Sequence, residues 1–505
     1  ATAANAYDIL NLYGYDNNRD IDWQKEVLDK KSTFSNYQLS MSGGNNNIQY
    51  VIGGGYIHQG SFLPGDFGNT KASGHFNISS TSKDRKFQVQ LGGSYMSDRN
   101  TLPSSTNFVA AIVPALSPNA PALYNPDGTL NFAVDNLGLS SYLYGNNPLA
   151  SLSAININKT RNLITHAELS YQLLKGLQLK ANLGYNELSS DELVTTPLSS
   201  YQPYVRPFVS RSSQFANNAT RSWNVEPQLN YQLSKNWGTL NVLLGASAQQ
   251  NQSEGQVVNA SGYVSDELMQ TVIGATTLQG AGTVSSAYNY SALFGRVNYN
   301  YKNKYLLNYT IRREGTSRFS PTYRFHNFQA IGAGWIFTEE DLFKQNLPWL
   351  SFGKLNISYG TTGSDQIGDN LYFATYGSLA RTYQNLPVLA LSRIATPDLH
   401  WEETNKLNIG LKTGFFKDKV LFEVNYANNR SSDQLLSYLV PYYASGFGTV
   451  SSNFPAVVRN TSWEFLINTT NLSTKNFNWT SSLNFTIPKN TLVSFPDLAS
   501  SSYAS

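Results

Sequence analysis

Five histidines, His58, His75, His166, His326 and His400, are the side chains best suited to acid–base or metal chemistry, and they are scattered over distant segments. None falls into a metal-ligand spacing such as His-Glu-x-x-His, which sets two imidazoles on one helix face with a carboxylate beside them. His166 stands two residues from Glu168, so in an extended chain both point the same way. A polar pair lining a wet surface is the expectation there, not an acid–base couple. There is no Gly-x-Ser-x-Gly elbow to hold a nucleophilic serine, no phosphate loop and no dinucleotide fingerprint. Gly53-Gly54-Gly55 lies inside a strand pattern and reads as a bend or a close approach, and Asp127-Gly128 reads as a turn. The chain has no cysteine, which excludes disulfides and thiolate metal sites. No catalytic residue, metal or cofactor is expected.

The elements that would carry these residues are strands. Apolar and polar residues alternate in pairs of segments: 36–43/47–58, 70–80/85–97, 161–173/176–188, 222–233/237–250, 289–301/304–314, 324–337/351–361, 405–415/418–430 and 461–472/477–487. Eight hairpins, about sixteen strands, follow from that period of two. From Leu163 the residues Leu163, Thr165, Ala167, Leu169 and Tyr171 share one side, while Ile164, His166, Glu168 and Ser170 share the other. Leu179, Phe422 and Leu483 are placed on the apolar side with Leu169; Lys180, Glu423 and Asn484 are placed on the polar side with Glu168.

Connections alternate as well. Compact turns, near 44–46, 82–84, 174–176, 235–236, 302–303 and 417–418, alternate with excursions over 59–69, 98–160, 189–221, 251–288, 315–323, 362–404 and 431–460. Outer-membrane barrels have this asymmetry, with short periplasmic turns and long extracellular loops. Strand length agrees: many patterns run ten to thirteen residues, whereas globular strands average about five or six and a membrane-crossing strand needs about nine to eleven. Tyr171, Tyr185, Tyr231, Trp237, Tyr305, Tyr359 and Trp479 recur near strand ends, where an aromatic girdle meets the interface.

Composition fits that class. Only 14% of residues are charged and 13% are aromatic, against about 25% charged in a typical soluble domain. A mean hydropathy of −0.33 is what an apolar outside and a polar inside average to. No run of eighteen apolar residues occurs, so helical spans are excluded. A net charge of +3 is too mild for a nucleic-acid partner, and no basic patch with interleaved aromatics stands out.

Five sequence blocks, in order, carry a family resemblance. Ile21-Asp22-Trp23-Gln24 with Ser42-Gly43-Gly44 and Tyr50 is similar to the opening barrel block of SusC/RagA-type TonB-linked outer-membrane transporters. Arg312-Arg313-Glu314-Gly315-Thr316-Ser317-Arg318-Phe319 resembles their R-x-DGSSRF signature, with Glu314 for aspartate and Thr316 for serine. Gly334-Trp335, Glu339-Glu340-Asp341, and Leu355 through Ser358-Tyr359-Gly360-Thr361-Thr362-Gly363 form a third block; Ser364 replaces the usual asparagine and Asn356 the usual arginine. Leu399-His400-Trp401-Glu402 with Asn408-Ile409-Gly410-Leu411 resembles the fourth, and Asn478-Trp479 through Asn484 and Lys489-Asn490 the fifth.

The resemblance implies an all-β, transmembrane antiparallel barrel of 22 strands around a plugged lumen. About sixteen of those strands are expected in residues 1–505, one partial barrel domain, with the plug and carboxy-terminal strands lying in a longer protein. It further implies active import of oligosaccharides or peptides, energised by TonB through a preceding amino-terminal region, with a SusD-like surface lipoprotein over the mouth and membrane lipid or lipopolysaccharide around the wall. Aromatic faces beside amide and carboxylate acceptors suit sugar recognition, and the longest excursion carries Tyr124, Asn125, Asp127, Tyr142, Tyr144 and Asn146. As a set these are candidate substrate-binding residues; taken singly, each reads as loop packing. Two other classes share the hairpins: an outer-membrane barrel enzyme, lipase or protease, which would need a serine or acid beside a base at the rim, and a surface adhesin.

Overall fold

Side chains on a strand alternate between two faces, so a chain with one apolar and one polar set can satisfy both only as a sheet between two media. The computed structural model describes residues 15–498 except Asn17, 29–30, 104–108, Ala110, 133–146, Asn385 and Asp497. Its first eight strands are β1 (Phe34–Gly44), β2 (Ile48–Gly60), β3 (Gly68–Thr81), β4 (Phe87–Asn100), β5 (Asn156–Leu174), β6 (Leu177–Thr196), β7 (Ser212–Lys235) and β8 (Gly238–Ser261). Then come β9 (Thr277–Tyr301), β10 (Tyr305–Thr316), β11 (Phe325–Trp335), β12 (Leu350–Ser364), β13 (Thr375–Tyr383) and β14 (Leu386–Arg393). The last six are β15 (Glu402–Phe415), β16 (Val420–Ser432), β17 (Gln434–Leu439), β18 (Thr449–Phe454), β19 (Val457–Ser473) and β20 (Asn478–Ser494).

Sixteen of these form one sheet, β1 to β12, then β15, β16, β19 and β20, each beside its predecessor. Every neighbouring pair is antiparallel. The sixteen expected strands are present. Pairs β13–β14 and β17–β18 are separate two-stranded hairpins within the 365–401 and 433–456 connections.

Register carries one face around the sheet without interruption. Tyr231 pairs with Val242, Val242 with Val297, Val297 with Tyr309, Tyr309 with Ile331, Ile331 with Tyr359 and Tyr359 with Leu407. Leu169, Leu179, Phe422 and Leu483 fall on that apolar face, and Glu168, Lys180, Glu423 and Asn484 on the opposite one, as expected from the alternation. The apolar face is bare: Leu244, Leu293 and Leu483 are 55%, 64% and 62% exposed. In water that surface would be an aggregation site. In a bilayer it is the solvent-facing side.

The sequence reading misplaced the strand limits on β6 to β9. Segments 189–221 and 251–288 are mostly strand, leaving connections of only 197–211 and 262–276. These extensions are rich in Ser, Asn, Gln and Gly, so no apolar period marks them. Pairing there rests on the backbone ladder and on polar cross-strand contacts such as Thr220 with Ser253 at 3.1 Å and Gln214 with Asn259 at 3.1 Å. At 24, 24 and 25 residues, β7, β8 and β9 are more than twice the length a bilayer requires. They stand out of the membrane on the long-loop side. Where they leave it, Tyr185 and Trp223 end the apolar band, and the next outward residues are ion-paired: Arg221 with Glu187 at 3.2 Å and Glu254 at 3.5 Å, and Arg161 with Asp191.

Burial is concentrated at the long-loop end, because neither face of a barrel wall is an interior. Helix Trp23–Leu28 is capped by Asp22, whose carboxylate accepts from the Lys25 N–H at 3.1 Å. It buries Trp23 and Val27 against Leu63, Val113, Leu116 and Leu123. The Trp23 indole donates to the Ser117 carbonyl at 2.7 Å and Ile21 N–H to the Pro118 carbonyl at 2.9 Å. Thus the first motif ties the segment before β1 to the long 101–155 connection. At the opposite end the turns are tight: Lys302 and Asn303 both have positive φ, 54° and 58°, as the common two-residue hairpin turns require.

Candidate functional site

The side of the sheet away from lipid is polar and charge-balanced. Lys180 Nζ lies 2.9 Å from Glu168 Oε2, and Lys412 Nζ 3.6 Å from Glu423 Oε2, whose partner oxygen accepts from Asn425 at 3.1 Å. Glu168 thus takes Lys180 as its partner, and His166 lies instead over Gly92, where an added Cβ would sit 2.3 Å from its ring. His75 covers Gly53 in the same way, at 2.6 Å. In both cases a ring fills the space left by a glycine directly opposite it in the register. The close approach expected at Gly53-Gly54-Gly55 is this one.

One recess on that face gathers groups able to bind a polar solute. It has a volume of about 250 Å³ and is lined by Asn224 and Glu226 of β7, Ser247 and Gln249 of β8, Tyr290 of β9 and Arg312 of β10. The Arg312 guanidinium donates to the Tyr290 hydroxyl at 2.8 Å, pairs with Glu314, and stacks 5.0 Å from the Phe294 ring, which itself covers Gly245. Glu226 accepts from Gln228 at 2.7 Å. Carboxylate, guanidinium, phenol and amides face one space, which offers both donors and acceptors without a nucleophile–base pair. Arg312 was noted in the sequence only as part of a motif; its companions on β7, β8 and β9 carry no local signal beyond their alternate positions.

Above the recess the motif blocks converge. Phe319, Phe328, Leu399 and Trp401 form a buried cluster, with Trp401 5.6 Å from the Phe319 ring and 5.5 Å from Phe328. Arg318 donates to Asp369 at 3.0 Å and to the Asp365 carbonyl at 3.0 Å, and its guanidinium lies 4.4 Å from the Tyr288 ring. These contacts fasten the 317–324 and 365–401 connections to β9 and β11. Of the remaining histidines, His326 of β11 has its Nε2 3.1 Å from Glu403 of β15, and His400, in the connection before β15, has its Nε2 3.8 Å from Asp433. Among the described residues no group of three or more His, Cys, Asp or Glu could hold a metal ion.

The candidate loop residues are only partly in view. Tyr142, Tyr144 and Asn146 lie outside the described residues. Tyr124 bridges Leu130 across a small turn and stays 45% exposed. Inside that turn Asn125 donates to Thr129 at 2.9 Å, and Asp127 accepts from the Thr129 hydroxyl at 2.6 Å and its N–H at 3.0 Å. The Thr129 hydroxyl and amide hold the Asp127 carboxyl below the ordinary carboxylate range. Gly128 has φ +84°, so Asp127-Gly128 is a turn as expected. Asn125 and Asp127 are engaged in shaping the turn; the Tyr124 ring is the free surface.

A bare apolar band, a polar opposite face, and short turns facing long loops across it define the wall of an outer-membrane β-barrel. Residues 114–503 match the family described as TonB dependent receptor-like, beta-barrel, and the chain belongs to it. It is similar to TonB-dependent receptor P3 of Formosa agariphila, 28% identical over 493 residues covering 94% of this chain and 47% of the relative. TonB-dependent receptor SusC of Bacteroides thetaiotaomicron is 23% identical over 492 residues, covering 92% and 47%. The fold matches the RagAB peptide transporter at a TM-score of 0.74 and 23% identity, over 95% of this chain and 53% of that one. The protein is of the SusC/RagA type and resides in the outer membrane; these relatives are receptors and transporters, not enzymes. The chain spans about half the length of the curated relatives it matches.

Proposed function

We propose that the whole protein imports oligosaccharides or peptides across the outer membrane, energised by TonB and working with a SusD-like surface lipoprotein. The observation that carries this reading is the family match over residues 114–503 on a wall whose inner face is polar and ion-paired. A lumen the size of a 22-stranded barrel leaks unless a plug closes it. Opening that plug takes energy from outside the barrel, which is the part assigned to TonB.

In this reading residues 1–505 supply wall and mouth of a single barrel domain, and the plug and remaining strands belong to the rest of the protein. Cargo meets the rim set first, Tyr124 with Asn125, Asp127, Tyr142, Tyr144 and Asn146, and then the Glu226, Tyr290 and Arg312 recess. The peptide alternative draws support from the RagAB relative, a peptide transporter.

Deleting the gene should abolish growth on one complex nutrient and leave growth on its monomers intact. Deleting TonB should produce the same defect. Uptake that persists without TonB would make the protein a passive pore, and turnover of substrate by the purified barrel would make it an enzyme.

A further inference from the structure

We propose that the lipid-facing surface of β1 to β5, at the long-loop end, binds a phosphorylated lipid of the outer leaflet. Its phosphate would sit on Lys31, His58 and Arg99, and its chains in the groove beneath. A recess of about 520 Å³ opens there, with Lys31, Thr33, His58, Thr70, Arg99 and Thr101 in its lining. His58 pairs with Thr70 and Thr70 with Arg99, and Tyr56, two residues before His58, shares the apolar face with Tyr37. The recess therefore faces away from the lumen, outside the path of any cargo.

Its charge is unsatisfied. His58, Thr70, Arg99 and Lys159 form one row of directly paired residues across four strands, each step about 4.8 Å. Among the described residues Lys31, Arg99 and Lys159 make no ion pair. On the same face Arg161, two residues along β5 from Lys159, pairs with Asp191, which stands opposite Lys159 in the register, and farther round Arg221 pairs with Glu187 and Glu254. Asp66 is the one carboxylate in the lining, against Lys31 and Arg99. His58 Nδ1 is 3.1 Å from Thr70 Oγ1, which orients the ring. A Cβ at Gly60 would lie 2.8 Å from Thr33 Oγ1 and one at Gly68 2.9 Å from the Gln59 carbonyl, so glycine keeps the floor open. Ammonium, guanidinium, imidazole and hydroxyl donors around an open space suit a phosphate, whose oxygens take charge-assisted hydrogen bonds.

The second half of the site is apolar. On β1 and β2 a groove of about 600 Å³ is lined by Tyr37, Leu39, Met41, Ile52 and Tyr56. Gly54 lies between Ile52 and Tyr56 on this face, and Leu39, opposite it in the register, is 81% exposed. A free phosphate would use the recess alone. A lipid-borne phosphate uses both, with Tyr37 and Tyr56 where the aromatic girdle meets the headgroups.

The test is native mass spectrometry of the full-length protein in detergent, titrated with bisphosphorylated lipid A, dephosphorylated lipid A or inorganic phosphate. Lipid A should bind the wild type, and Lys31→Gln and Arg99→Gln should each weaken it about tenfold. Lys489→Gln, on the same face at the far edge of the sheet, should leave binding unchanged. Dephosphorylated lipid A should bind wild-type protein about tenfold more weakly than bisphosphorylated lipid A does, a comparison that needs no variant and stands if one fails to fold. Equal binding of the two lipids, equal loss in Lys489→Gln, or displacement of lipid A by inorganic phosphate at matching concentration would overturn the proposal.

Discussion

The indole N–H of Trp401 donates to the backbone carbonyl of Arg324 across 3.0 Å, joining two mouth connections that are 77 residues apart. The ring is packed between Phe319 and Phe328 and is only 4% exposed. The bond and the packing hold the loops, while the strands below are held by their own ladders.

Replacing Trp401 should therefore loosen the mouth and spare the wall. Trp401→Phe keeps an aromatic ring in the cluster and removes one of the two hydrogen bonds to the Arg324 carbonyl, leaving the Thr316 N–H at 3.3 Å, a local cost of about 0.5–1.5 kcal/mol. Trp401→Ala adds a cavity and should cost about 3–5 kcal/mol. Hydrogen exchange should rise over 317–324 and 365–401 in that order of severity, with β9 to β12 unchanged. Equal acceleration in the strands would show that the cluster supports the sheet.

The two faces differ in what they tolerate. Leu179, on the lipid side, is 45% exposed in the isolated chain, and Asn182 lies on the lumen side opposite Glu168. Leu179→Arg should cost about 2–4 kcal/mol of barrel stability and Asn182→Arg much less. Heat-modifiable mobility on gels measures both. Equal losses would contradict the face assignment.

The strands and their faces were legible in the sequence because apolar alternation marks each crossing of the bilayer. The extensions of β6 to β9 were not, since Ser, Asn and Gln pair through the backbone and leave no apolar period. The recess of Glu226, Gln249, Tyr290 and Arg312 was equally hidden. It assembles from four strands whose register, not whose local sequence, brings those residues together. The sequence set the histidines aside as catalytic groups, and the use of His75 and His166 as covers for Gly53 and Gly92 needed the pairing to be seen.

Glu340, in the connection between β11 and β12, accepts from the Tyr305 hydroxyl at 2.6 Å and from Lys304 Nζ at 3.0 Å. The Tyr305 bond first, and the Lys304 ammonium second, hold its carboxyl below the ordinary range. A depressed carboxyl stabilises the fold above its unfolded value, about 4.3, and that contribution is lost as pH falls through the lower folded value. Pepsin cleavage within 336–349 should therefore increase as pH drops below about 4. In Glu340→Gln that pH dependence should be absent and cleavage already raised at pH 5. An identical pH profile in both proteins would remove Glu340 from the account.

Arg312 links the lumen recess to the motif that follows it, through Tyr290 at 2.8 Å and Glu314. Arg312→Leu keeps the aliphatic contact with Phe294 and removes the charge. Nutrient uptake by cells carrying this variant should fall by about tenfold, the worth of one charge-assisted contact, with barrel yield on heat-modifiable gels maintained. Full uptake with folded barrel would show that cargo bypasses the recess.

Topology remains the relationship on which both faces of the mouth depend. The chain contains no cysteine, so single substitutions report cleanly. Lys175 and Asn303 lie in tight turns at one end, and Asn125 and Val440 in long connections at the other. A membrane-impermeant maleimide applied to intact cells should label Asn125→Cys and Val440→Cys and leave Lys175→Cys and Asn303→Cys unlabelled until the outer membrane is opened. Short turns labelled from outside would invert the barrel, placing the rim loops, the Trp401 cluster and the cationic recess on the periplasmic side.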